Sequence, residues 1–259
     1  MSDVIEVSRN GAIVTVALNR PERMNALNLP MWRGLAEAFT TIAADSSIHA
    51  VILRGSGTSA FAPGADIEEF DTLRANAEQA KAYDLIMRRA LNAVRDCPQP
   101  VIAAIYGPCV GGALELACCC DLRISARSGK FGVPINKISV VMAYPELAAI
   151  RRIVGPAAAL EILLEGRIID AEEAAAKRLI NRVVDDEAME TEIAATARRI
   201  AAGAPLANRW HKAFLSRLDD PTPISEVELN ECYHFLGTQD YAEGLAAFRA
   251  KRKPVFKAE

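Results

Sequence analysis

Two short, uninterrupted apolar runs, Ala50-Val51-Ile52-Leu53 and Val101-Ile102-Ala103-Ala104-Ile105, each lead into a glycine-containing loop. A strand with no polar face must be covered on both sides, which a parallel sheet with helices over its faces achieves. Amphipathic stretches suited to that cover lie at Leu29 to Ala44 and at Glu78 to Arg95. Alternation in Val4 to Ser8 and Ala12 to Leu18 around Asn10-Gly11 predicts an opening hairpin. Gly111-Gly112 is expected to open a helix running to about Cys120, with Leu122 to Ser125 a further short strand. From Pro145 onward the pattern is helix after helix, punctuated by Gly155-Pro156, Gly166, Gly203-Ala204-Pro205 and Pro221-Thr222-Pro223. The fold class is therefore α/β, with a soft boundary near residue 205 that separates a core over 1–204 from a helical region over 205–259.

With 51% hydrophobic positions, the 259 residues can build a core without disulfides; a chain of this size buries roughly three quarters of its unfolded surface. Thirty Lys and Arg against 33 Asp and Glu give a net charge of −3, and no long basic run points to nucleic acid. The start of the chain, with acids at Asp3 and Glu6, lacks the basic and apolar pattern of a secretory leader, so a cytoplasmic location is expected. Cys97 to Leu114 carries no charge, but its prolines and glycines argue against a membrane-spanning helix. The six cysteines, three of them consecutive at Cys118 to Cys120, read as small buried hydrophobes in a reducing compartment. His49, His211 and His234 are scattered, so no metal site is expected.

Gly55-Ser56-Gly57-Thr58-Ser59-Ala60 follows a strand and fits a dinucleotide fingerprint, yet Pro63-Gly64 stands where the required helix would begin. Serine-hydrolase, zinc-protease and P-loop sequences are missing. What remains is a pair of corners, Phe61-Ala62-Pro63-Gly64-Ala65-Asp66-Ile67 and Tyr106-Gly107-Pro108-Cys109-Val110-Gly111-Gly112-Ala113-Leu114-Glu115, each downstream of a buried strand. Such strand ends are where ligands bind in open parallel sheets. Glycines at a helix N-terminus leave N–H groups free and admit a ligand closely, as an oxyanion site requires. A tight strand-to-helix turn uses the same residues.

The segments NRPERMNAL, AFAPGADIEEF, YGPCVGGALELACCCDLRISA, FGVP and DYAEGLAAFRAKRKPVFK together resemble the crotonase (enoyl-CoA hydratase/isomerase) superfamily in order and spacing, over nearly the whole chain. The resemblance implies a ββα spiral core with a helical C-terminal trimerisation region, assembled as a trimer or as a hexamer of two trimers. It also implies an acyl-CoA substrate whose thioester enolate is held by two peptide N–H groups, with coenzyme A present as part of the substrate and no permanently bound cofactor. By motif, the donors would be Ala65 and Gly112, and Glu115 would be the first catalytic glutamate. Arg23, Ala26, Ala62, Asp66 and Ile67 would complete the nucleotide pocket, although Asp66 also suits a helix cap. Phe248 and Lys251 would reach the adenine and phosphate of a neighbouring subunit's ligand; a solvated basic terminus is the plainer reading of that tail.

The chain departs from the family pattern where the hydratases carry their second glutamate, after the Pro of FGVP: here stands Ile135. Hydration needs one carboxylate to activate water and another to deliver a proton, and isoleucine does neither. The glycine-rich stretch that normally follows is replaced by the bulkier Ser139 to Glu146, placing Tyr144 and Glu146 as substitute acids or, for Tyr144, as a packed wall of the acyl pocket. Three readings stay open: a hydratase or isomerase, a decarboxylase working through the same enolate, and a non-catalytic acyl-CoA-binding protein. The histidine expected of the decarboxylase branch is replaced by Ala65.

Overall fold

The computed structural model describes residues 4–259; residues 1–3, with Asp3, lie outside the described residues. Strands β1 (Ile5–Asn10) and β2 (Ile13–Leu18) form the opening hairpin, with Asn10 opposite Ile13, so that the two-residue turn is Gly11-Ala12. Helix α1 (Leu29–Ala44) follows, capped by Asn28, whose side chain accepts the Met31 N–H. Next come β3 (Ala50–Gly55), a loop, the single turn α2 (Phe70–Leu73) and the long α3 (Ala77–Arg95), capped by Asn76. Strand β4 (Val101–Ile105), the short β5 (Pro108–Val110), α4 (Gly112–Cys119), β6 (Leu122–Ala126) and β7 (Lys130–Gly132) then pass through the site region. The C-terminal part contains α5 (Tyr144–Glu165), β8 (Ile169–Asp170), α6 (Ala171–Ala176), β9 (Arg182–Val184), α7 (Met189–Ala201), α8 (Pro205–Arg217), α9 (Glu226–Glu231) and α10 (Gln239–Arg249).

Six strands pair in the order β1-β2-β3-β4-β6-β9, and all pairs after the first are parallel. The two apolar runs show why they have no polar face. Val51, Leu53, Val101, Ala103 and Ile105 enter the main core, while Ile52, Ile102 and Ala104 enter a second core with Met189, Ile193 and Ala197 of α7. Both faces of β3 and β4 are thus covered. At roughly 25 cal/mol per Å², side chains so buried contribute about 1.5–3 kcal/mol each before entropy is counted.

A second sheet, β5-β7-β8, stands apart and has no counterpart in the sequence reading. Its strands are two or three residues long, too short for periodicity to register. Strand β9 was missed for the same reason. Gly155-Pro156 breaks α5 as expected: Gly155, at φ +77°, leaves the helical region, so the span is two helices that meet at a kink. Five cysteines are buried and unpaired, whereas Cys232 is exposed. No helix is long and apolar enough to cross a membrane among the described residues.

Candidate active site

The first corner is held by backbone pairing on two sides. Toward the N-terminal segment, Leu27 N–H donates to Gly64 O and Asp66 N–H donates to Leu27 O, both at 2.8 Å. Toward the second corner, Ala62 N–H donates to Pro108 O at 2.9 Å, and Val110 N–H donates to Ala62 O at 3.2 Å. The second corner is fixed in turn to the small sheet, since Gly111 N–H donates to Gly132 O at 2.9 Å. The two loops therefore form one hydrogen-bonded unit.

Glycine is required where they meet. Gly64 has φ +118°, and a β-carbon there would stand 3.0 Å from Val110 O. Gly111, at φ +56°, passes so close that its own β-carbon position lies 4.0 Å from Gly64 Cα. The next residue of each loop, Ala65 and Gly112, carries an N–H with no acceptor among the described residues. A β-carbon built on Gly112 would lie 4.0 Å from Ala65 N and 3.6 Å from the Trp32 ring, so α1 backs this junction. Trp32 is itself fixed by its Nε1–H, which donates to Tyr83 Oη at 3.1 Å.

Ala65 and Gly112 both line a cavity of about 310 Å³, together with Ile67, Glu115, Ile135, Met142 and Glu146. A larger cleft of about 530 Å³ opens between α8 and the end of α4, away from both corners. Its charged groups are already paired, Lys212 with Asp121 at 2.8 Å and Arg152 with Asp219 at 3.5 Å. On the smaller cavity an apolar wall, two N–H donors unpaired among the described residues and buried carboxyl groups converge, the features of a ligand site.

Glu115 lies one turn into α4 and is 8% exposed, with no hydrogen bond to its carboxyl group among the described residues. Burial, and next the negative charge of Glu146, push its pKa up to about 8; Arg74 and Arg88 pull the other way. Its carboxyl group is consequently largely protonated at neutral pH, unlike an ordinary glutamate. Glu146, on the first turn of α5, is 3% exposed. Its Oε1 accepts from Arg88 Nε at 2.9 Å, while Oε2 is buried without a partner among the described residues.

Other expected site residues take different places. Tyr144 turns to solvent, 89% exposed, and is not part of the cavity wall. Being the first residue of α5, it points away while Glu146, two positions on, points inward. Asp66 supports the corner instead of lining the cavity: its carboxylate receives Arg20 Nη1 at 2.9 Å, pairs with Arg23 at 3.7 Å and accepts the Glu68 N–H at 3.3 Å. Arg23 is also paired with Glu68. Ala62 N–H donates to Pro108 O and its carbonyl accepts from Val110, while Ala26 N–H donates to Arg23 O and its carbonyl accepts from Arg20 Nη1, so each carbonyl keeps a second lone pair for a further donor. Phe248, 83% exposed, and Lys251 lie outside the chain's own cavity. Sequence reasoning missed Arg88, Asp84 and Arg74; the i,i+4 spacing of Asp84 and Arg88 on α3 was the available signal.

The sequence model of the family described as enoyl-CoA hydratase/isomerase matches residues 8–259. A crotonyl-CoA hydratase from Syntrophomonas wolfei is 32% identical over 257 residues, covering 97% of each chain. A probable enoyl-CoA hydratase from Mycobacterium bovis is 37% identical, covering 98% of each. Among solved structures, an enoyl-CoA hydratase/carnithine racemase from Magnetospirillum magneticum superimposes with a TM-score of 0.99 at 82% identity, covering 100% of this chain and 97% of the other.

Proposed function

Because the chain belongs to the enoyl-CoA hydratase/isomerase family, with that family's fold, we propose that it hydrates a 2-enoyl-CoA thioester through an enolate intermediate. The observation that carries this reading is the convergence of the unpaired Ala65 and Gly112 N–H groups with Glu115 on one 310 Å³ cavity. As water adds to the β-carbon, the double-bond electrons move onto the thioester oxygen. Two fixed donors hold that oxygen without reorganisation, each contributing about 3–4 kcal/mol in a water-poor site. Glu115 carries a proton at neutral pH and delivers it to the α-carbon.

Ile135 lines the cavity and supplies shape and dryness but no proton. Decarboxylation of a malonyl-type thioester fits less well, because the histidine expected of that branch is replaced by Ala65. Coenzyme A then enters and leaves as part of the substrate. The exposed Phe248 and Lys251 are free to reach a neighbouring subunit's nucleotide in a trimer or hexamer. Crotonyl-CoA offered to the purified protein, followed by loss of enoyl-thioester absorbance, tests the proposal: turnover supports it, and binding without turnover overturns it.

A further inference from the structure

We infer that Glu146 is the second catalytic carboxylate of this enzyme, entering from α5 to take the place left by Ile135, an inference that rests on the hydratase reading above. Three independent features point to it. The side chain is almost wholly buried yet lines the same cavity as Glu115. Its Oε2 has no partner among the described residues, and a buried unsatisfied carboxylate oxygen is costly unless something is meant to meet it. Finally, Glu115 and Glu146 also line a separate void of about 20 Å³, which exceeds the roughly 10–15 Å³ that one water needs.

Cationic groups surround Glu146. Arg88 on α3 donates to Oε1 at 2.9 Å and also reaches Asp84 at 3.4 Å, and Asp84 in turn meets Arg74 at 3.5 Å. Arg95 borders the small void, and Lys137 lines the cavity. Glu146 is bonded to one of these cations, whereas the carboxyl group of its neighbour on α4 has no hydrogen-bond partner among the described residues. Two acids whose surroundings separate their protonation can act as base and acid at one pH.

The step balances without any further reagent. A water O–H bond breaks, the oxygen bonds to the β-carbon and the proton passes to Glu146. The electron pair of the C=C bond moves to the thioester oxygen beneath the Ala65 and Gly112 N–H groups. The enolate then takes the Glu115 proton at the α-carbon, and Glu146 returns its proton to Glu115 through a water in the shared void.

Crotonyl-CoA hydration by the unmodified protein, Glu146→Gln and Arg88→Met, measured from pH 5 to 9 beside acetyl-CoA affinity, tests this. Glu146→Gln should lose roughly 10²–10⁴ in rate with affinity unchanged. Arg88→Met removes the donor that orients Glu146 through Oε1, so the rate should fall while acetyl-CoA affinity holds. If Glu146→Gln does not fold, Glu146→Asp keeps the charge on a shorter arm and should be slower with its pH profile retained. A Gln or Asp variant as fast as the unmodified protein, or an unchanged rate in Arg88→Met, overturns the role of Glu146. No hydration by the unmodified protein would instead overturn the parent reading, and this one with it.

Discussion

Glu115 and Glu146 line a common void of about 20 Å³ without a hydrogen bond between them, and the charge of Glu146 is second only to burial in raising the Glu115 pKa. One of the pair is held by an arginine and the other has no hydrogen-bond partner among the described residues. That asymmetry distinguishes them chemically, although both are glutamates.

Stability should record the Glu115 shift. A carboxyl group whose folded pKa is raised to about 8 from an ordinary 4.5 binds a proton in the folded chain that the unfolded chain releases. Stability is therefore lost as pH rises through the window from about 4.5 to 8, by a few kcal/mol at most. Glu115→Gln, which has no proton to lose, should flatten the fall in melting temperature across that window. An equal fall in both proteins would show that Glu115 titrates normally.

Gly64→Ala should damage the site without touching a catalytic side chain. The added β-carbon meets Val110 O at 3.0 Å on a backbone at φ +118°, a strain of about 1–3 kcal/mol. Relief requires moving the neighbouring Ala65 N–H. Turnover should fall by roughly 10²–10³, as on loss of one oxyanion donor, with a lowered melting temperature. Unchanged kinetics would separate Ala65 from the chemistry.

Ile135→Glu restores the residue type that hydratases carry after this proline. If Glu146 already supplies the second carboxylate, the substitution places a third acid in a cavity holding two. The Glu115 pKa should rise further, and hydration should slow. Faster hydration in this variant would mean that the native enzyme lacks a second proton-transfer group.

Assembly should be visible in solution. If Phe248 and Lys251 serve a neighbouring subunit's ligand, light scattering should give three or six times the 28.0 kDa chain mass. A fully active monomer would end that arrangement.

The sheet and its helical cover were legible because long elements carry periodic signals. The bounds of α1 and β4 came out as read, since Asn28 caps one and the apolar run Val101 to Ile105 is the other. The short strands β5, β7, β8 and β9 were illegible, being held by pairing and not by any pattern of their own. In the site, the two corners were visible from their glycines. The direction of side chains across a helix start was not: Tyr144 and Glu146 looked alike as candidates, and only the path of α5 turns one outward and the other in. The clasp of Arg88 on Glu146 joins positions 58 residues apart, beyond any local reading.

Crotonyl-CoA hydration by the unmodified protein and by Glu115→Gln, measured beside thioester affinity, tests the central claim most directly. The account predicts turnover to 3-hydroxybutyryl-CoA that falls by roughly 10²–10⁴ in the variant while affinity holds, because the amide keeps the shape and loses the proton. Equal rates in the two proteins, or tight binding with no hydration by either, would contradict it.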